Sequence, residues 1–235
     1  MTGRIVVVVV LLCVAGLFWT LASGDAPTEL GSVSRHYAQR GVIENRGSNL
    51  VTSVVVNYRG LDTLGEVAVL FLSVTGVAFV LRKRRQAAGA SGGGVPASEL
   101  VQTGARLLAG PMILFGAYIF VHGHLTPGGG FQGGAVVASA ILLLLLADRE
   151  RKLPHGLMSW LESLSGFGFV TAGIVGLAAA GSFLANRGVL PLGQWNRLFS
   201  AGLIPVIYVL IGLKVGSELA ALLDVMMRGE EGGRG

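Results

Sequence analysis

The chain has 235 residues, of which 52% are hydrophobic and only 13% charged, and it carries a net charge of +5. Soluble domains carry about 25% charged residues, and a mean hydropathy of +0.68 excludes a water-soluble globular protein. The single cysteine, Cys13, excludes an intrachain disulfide and offers no cluster for zinc or iron–sulfur chemistry.

A hydrocarbon layer of roughly 30 Å takes about 20 helical residues to cross. Inside it every backbone amide must find its partner within the protein. Six apolar runs, over residues 4–22, 64–82, 103–122, 134–147, 165–185 and 200–223, therefore predict an all-α integral membrane protein with about six transmembrane helices. The first run, with Arg4 before it and Ala22-Ser23-Gly24 behind it, has some features of a signal peptide. It is longer than an ordinary signal core, so residues 1–24 are expected to be retained.

Basic residues orient the spans. Arg4, Arg82, Lys83, Arg84, Arg85, Arg149, Arg151, Lys152, Arg228 and Arg234 fall on one side. The opposite side has six: Arg35, Arg40, Arg46, Arg59, Arg187 and Arg197. Positively charged loops stay inside, which places both termini in the cytoplasm and the chain in the cytoplasmic (inner) membrane as a multi-pass protein. Topology thus accounts for the basic charge, and no nucleic-acid partner is expected.

The loop over residues 23–63 is the longest polar region. Its later part, NLVTSVVVNYRGLDTLGEV, is apolar enough to lie against the membrane surface. Asp62 and Glu66 stand four apart and would share a helix face, with Arg59 three residues before Asp62. An ionisable side chain in an apolar helix is a functional candidate, so Asp62 and Glu66 are candidates for an ion path. The alternative is an Arg59–Asp62 cap with Glu66 in the membrane interface. Residues 86–98, QAAGASGGGVPAS, have the composition of a flexible tether. They divide the chain into a two-helix unit, 1–85, and a four-helix unit, 99–235. No internal repeat is visible.

Residues 122–134 read HGHLTPGGGFQGG. His122 and His124 have no nearby cysteine or carboxylate, so a metal site there is weakly supported. The glycines lack the GK[ST] of a phosphate loop. A tight structural loop built from His122, His124, Pro127, Gly128, Gly129, Gly130, Phe131 and Gln132 is the better reading, with glycine allowing backbone shapes that other residues resist. At membrane depth such a loop must be buried in protein or line a cavity. In the last run Lys214 and Glu218 share a face, with Asp224 beyond them. Lys214 lies too deep to reach water easily. The pair is either a structural ion pair or part of a route for protons or sodium.

The stretch GHLTPGGGFQGGAVVASAILLLLLA, together with GLKVGSELAALL in the last run, resembles the MnhB component of the Mrp (Mnh) multisubunit cation/proton antiporters over residues 100–225. GSNLVTSVVVNYRGLDTLGEVAVL resembles the membrane tail of the family's large A-type component, which in some complexes is a separate small E-type component, over residues 30–82. Arg59, Gly60, Asp62, Thr63, Gly65 and Glu66 match its motif. The same modules occur in membrane-bound hydrogenases and sulfane reductases. The resemblance implies an accessory subunit of an Mrp-type sodium/proton antiporter module that helps to form the sodium path. The parent complex would be either a free antiporter or an ion-pumping hydrogenase or reductase. The alternative is a structural scaffold with no direct ion contact. Partners implied are the other antiporter subunits, hydrogenase or reductase subunits, the lipid membrane, sodium and protons. The chain carries no catalytic residue set and no cofactor motif, so by itself it is not expected to be an enzyme.

Overall fold

The computed structural model describes residues 2–23, 30–88, 97–148, 151 and 153–230. Most of the expected linker, 89–96, and the basic residues Arg149, Lys152 and Arg234 lie outside them, as do the side chains of 82–88. The described residues are helical with irregular connections, and none is in a β-strand. In order the helices are α1 (Thr2–Ala22), α2 (Ser32–Asn45), α3 (Leu50–Thr52), which continues as a π-helical stretch over Ser53–Tyr58, α4 (Gly60–Ala88), α5 (Glu99–Val121), α6 (Gly130–Ala147), α7 (His155–Ala180) and α8 (Ile204–Glu230).

Five of these are long and apolar enough to cross a membrane, over Gly60–Leu81, Glu99–Val121, Gly130–Ala147, His155–Ala180 and Ile204–Met227. The sixth expected span corresponds to α1, whose apolar stretch, Ile5–Thr20, is shorter. By packing the chain falls into two units, Met1–His36 and Tyr37–Gly235. Helix α4, before the linker expected at 86–98, lies against α8, after it.

Helix ends differ from the apolar runs for local reasons. The fifth run was expected over 165–185, but α7 stops at Ala180. Gly181 caps it in the left-handed conformation (φ 77°), its N–H bonding the Leu177 carbonyl at 2.9 Å, a common helix terminator. The helix begins ten residues earlier than the run because HGLMSWLESLSG is helix-compatible but too polar to count as a span. Similarly, α8 starts at Ile204 rather than 200, since Ala201 and Gly202 both have positive φ and form a turn.

In the second unit α8 is the central helix. The four other long helices of that unit, α4, α5, α6 and α7, pack against it. Ile204, Ile207, Tyr208, Ile211 and Val215 of α8 meet Val67 of α4, Phe169 of α7, and Val56 and Leu184 from the connecting segments. In lipid there is no hydrophobic force between helices, so close packing of small residues must hold them. Helix α6 supplies it. A Cβ on Gly133 would lie 2.5 Å from the Gly116 carbonyl of α5, and one on Gly134 would lie 2.8 Å from the Gly212 carbonyl of α8. The GGGFQGG run is therefore partly the packing surface of α6 and not only a loop.

Candidate functional site

The segment expected to lie on the membrane surface instead folds inward. Asn49 caps α3, its side-chain oxygen accepting from the Val51 and Thr52 amides. The π-helical stretch that follows buries Ser53 and Val56. Extra residues in a helical turn leave a carbonyl without its usual partner, and here the Thr63 hydroxyl donates to the Val55 carbonyl at 2.7 Å. This reshaped turn delivers Arg59 and Asp62 to the start of α4.

The 122–130 loop is held by that same segment. The Asn49 amide nitrogen donates to the Gly123 carbonyl (2.9 Å) and the Thr126 carbonyl (3.0 Å), and its backbone N–H donates to the His124 carbonyl. The Thr52 hydroxyl donates to the Gly123 carbonyl at 2.7 Å and accepts from the Tyr208 hydroxyl at 3.0 Å. The two histidines point to different places. His122 stacks on Tyr118 (4.2 Å between centroids), whereas His124 is fully buried with its Nε2 3.4 Å from the Arg197 carbonyl. Burial holds the His124 imidazole below its usual value, so it is neutral at pH 7. No group of three metal-ligating side chains is present among the described residues.

Glycine is needed in this loop at Gly128, where φ is +152°. At Gly129 φ is 161°, an extended backbone that any residue adopts, so the conformational reason expected there does not hold. Its remaining constraint is a close approach to the flexible Gln132 side chain (2.8 Å). Gly130 is tighter, since a Cβ would lie 2.6 Å from two Ile211 side-chain atoms. Phe131 packs against the α8 core, and Pro127 and Gln132 are exposed.

Asp62 forms an ion pair with Arg59, both side chains more than half exposed. In water such a pair is worth about 0–1 kcal/mol. The two line an open cavity of about 650 Å³ together with Asn57, Ser182, Asn186 and Arg187. Glu66 is one turn further along the same face and exposed, while Thr63 and Val67 turn inward. Of the two acids expected to act together, Asp62 is thus held by Arg59 within the chain. Glu66 faces away from the chain's own bundle.

Lys214 and Glu218 do form the expected pair, with Nζ 2.5 Å from Oε1 and both side chains buried. Phe71 of α4 covers the ammonium, 5.3 Å from ring centroid to Nζ. Asp224 is buried too, but its described partner is His155 at the start of α7, 3.5 Å away.

Sequence reasoning missed a second polar centre. The Asn45 side-chain oxygen accepts from Asn57 Nδ2 (2.7 Å) and Asn186 Nδ2 (3.1 Å). Asn186 Oδ1 accepts from the Leu203 amide at 2.8 Å. Beside it the Tyr58 hydroxyl donates to Glu44 at 2.5 Å. Burial first, and then Glu44, pushes the Tyr58 phenol up to about 12. These three asparagines tie α2, the π-helical stretch and the 184–203 connection together. Asn186→Leu should strand the Leu203 amide and remove one donor from Asn45. The expected loss is about 1–3 kcal/mol for each buried group left unpaired, read as a lower thermal midpoint of the detergent-solubilised protein. An unchanged midpoint would show that water replaces the amide.

The family model described as "Domain related to MnhB subunit of Na+/H+ antiporter" matches residues 100–221, just over half of the chain. The chain belongs to this MnhB-related family. A second model, MbhE, which describes the E-type component of MBH, matches residues 2–94. Along almost its whole length the chain is similar to one subunit in the structure of the membrane-bound sulfane sulfur reductase, an archaeal respiratory membrane complex. The identity is 42%, with 97% of this chain and 99% of that one covered and a TM-score of 0.78. It is also similar to a chain of the Mrp complex from a Dietzia species, at 25% identity and a TM-score of 0.73. There the match covers 100% of this chain and 27% of the other. An uncharacterized protein of Methanocaldococcus jannaschii is 29% identical over 200 residues, covering 74% of this chain and 76% of that protein. The MnhB-related chain is a multi-pass membrane protein.

Proposed function

We propose that this chain is an accessory subunit of an Mrp-type antiporter module belonging to a redox-driven respiratory membrane complex. In this reading it helps to form the sodium path beside the larger pumping subunits, with both termini in the cytoplasm. The observation that carries the redox assignment is the degree of similarity. Over 97% of its residues this chain is 42% identical to the sulfane reductase chain, whereas its identity to the Mrp chain is 25%. The exposure of α4 supports a partnered state. Only 6% of its apolar window is buried within the chain, yet its outward face carries Glu66. An acid facing lipid is costly, and a neighbouring subunit supplies the polar contact it needs.

The test is purification of the tagged chain from its native membrane in mild detergent. The expected result is co-purification of several membrane subunits together with a redox-active subunit. Recovery with antiporter subunits alone would favour a free antiporter. A stable monodisperse monomer would overturn the complex altogether.

A further inference from the structure

Helices α7 and α8 pack against one another, and one face of α7 meets the ionisable residues of α8 in antiparallel order. His155 at the start of α7 meets Asp224 near the end of α8, 3.5 Å apart. Two turns further along α7, on the same face, stands half-buried Glu162, in register with Glu218 between the two ends of the file. One turn beyond that, a Cβ on Gly166 would lie 3.7 Å from Lys214 Nζ. Positions 155, 162 and 166 recur at the spacing of one helix face. The ten residues from Lys214 to Asp224 span about 15 Å. The file therefore runs from deep in the apolar region to one end of the helices, where the His155 side chain is 67% exposed.

Glu218 is the critical member. Its Oε1 takes the lysine, while its Oε2 is buried with no hydrogen-bond partner among the described residues. A purely structural pair would be expected to satisfy both oxygens, because a buried acceptor left unpaired costs about 1–3 kcal/mol. Among the described residues no other ionisable group is placed to compensate. Helix α4 presents the Phe71 ring to the ammonium, α6 has no ionisable residue between Gly130 and Ala147, and Arg106 of α5 is exposed.

We infer that the α7/α8 interface is a proton route, in which Lys214, Glu218 and Glu162 relay one proton between the membrane interior and the Asp224–His155 pair. This rests on the chain belonging to an ion-moving module. The Lys214 ammonium gives its proton to the Glu218 carboxylate, leaving an amine and a neutral acid. Glu218 passes the proton to the Glu162 carboxylate and becomes ionised again. Glu162 releases it to Asp224–His155 and the adjoining water. The Lys214 amine is reprotonated by hydronium arriving from the opposite face. One proton moves, no electron is transferred, and the groups return to their starting charges.

The experiment uses the intact complex in liposomes holding a trapped pH indicator, with an imposed pH gradient and assembly checked on native gels. Glu162→Gln should assemble, since Glu162 forms no ion pair among the described residues, and proton flux should fall at least about 100-fold, the low end of what a positioned acid–base group contributes. Glu162→Asp should restore much of it, which a packing role would not predict. Glu218→Gln alone strands a buried lysine, so the double variant Lys214→Met/Glu218→Gln is the informative one. It removes both charges, which buried sites often tolerate, and should assemble yet remain inactive. Normal flux in assembled Glu162→Gln or in the assembled double variant would overturn the route. Failure of the wild-type chain to co-purify with any complex would instead overturn the functional reading on which the route rests.

Discussion

Gly134→Val should prevent the chain from assembling, read as loss of the complex on native gels and a collapse in the yield of folded, detergent-soluble protein. A Cβ at this position would lie 2.8 Å from the Gly212 carbonyl, 2.8 Å from Val215 Cβ and 3.0 Å from the Gly216 amide. Two of these three atoms are backbone, so no rotamer change makes room, and α6 would have to move away from the central helix. Overpacking a core typically costs about 1–3 kcal/mol, occasionally more. Here the shift would spread along α6, whose opposite face is pinned just as closely to α5 through Gly133 and Gly116. Two other glycines test the mechanism. Gly110→Val on α5 meets nothing within 4 Å and should be silent. Gly129→Val meets first a flexible glutamine side chain and then the Tyr208 ring, so it should be intermediate. If Gly134→Val assembles as well as Gly110→Val, the close α6–α8 contact does not hold the bundle together.

What the sequence made legible follows from the range of the interactions. Spans could be read because hydrocarbon imposes a length and an apolarity on every helix that crosses it. The Lys214–Glu218 pair could be read because residues four apart on a helix must be neighbours. Contacts between helices left no such mark. Nothing in the spacing of His155 and Asp224 along the chain signals that they meet, and nothing in SWLESL singles out Glu162. The asparagine centre was hidden for the same reason, since Asn45 and Asn186 are 141 positions apart. The π-helical stretch had no sequence signal, because SVVVNY reads as an interfacial segment by composition alone. The glycines of the 122–134 region were noticed for their conformational freedom. Most of them serve close packing instead, and only Gly128 needs its φ.

Glu66→Gln should abolish sodium-dependent proton exchange in membrane vesicles while leaving the complex assembled, and Glu66→Asp should keep part of the activity. The geometry separates the two acids that the sequence had grouped. Asp62 already has Arg59 as a partner and lies in the wall of an open cavity, so its charge is answered inside the chain. Glu66 lies one turn deeper, roughly 9 Å along the axis from the start of α4. It has no ion pair among the described residues and is exposed within the chain. A carboxylate so placed either borders a hydrated path shared with a neighbouring subunit or is merely a polar group near the interface. Glutamine distinguishes these, because it preserves size and hydrogen-bonding capacity but cannot ionise. Aspartate preserves the charge and withdraws it by about one methylene, so a cation-binding role should survive it in part. Asp62→Asn should have the smaller effect, since it breaks a solvent-exposed pair of low energetic value. Vesicles in which the assembled Glu66→Gln complex exchanges ions at the wild-type rate would move Glu66 from the path to the interface. The scaffold reading of this part of the chain would then account for α4 better than an ion contact does.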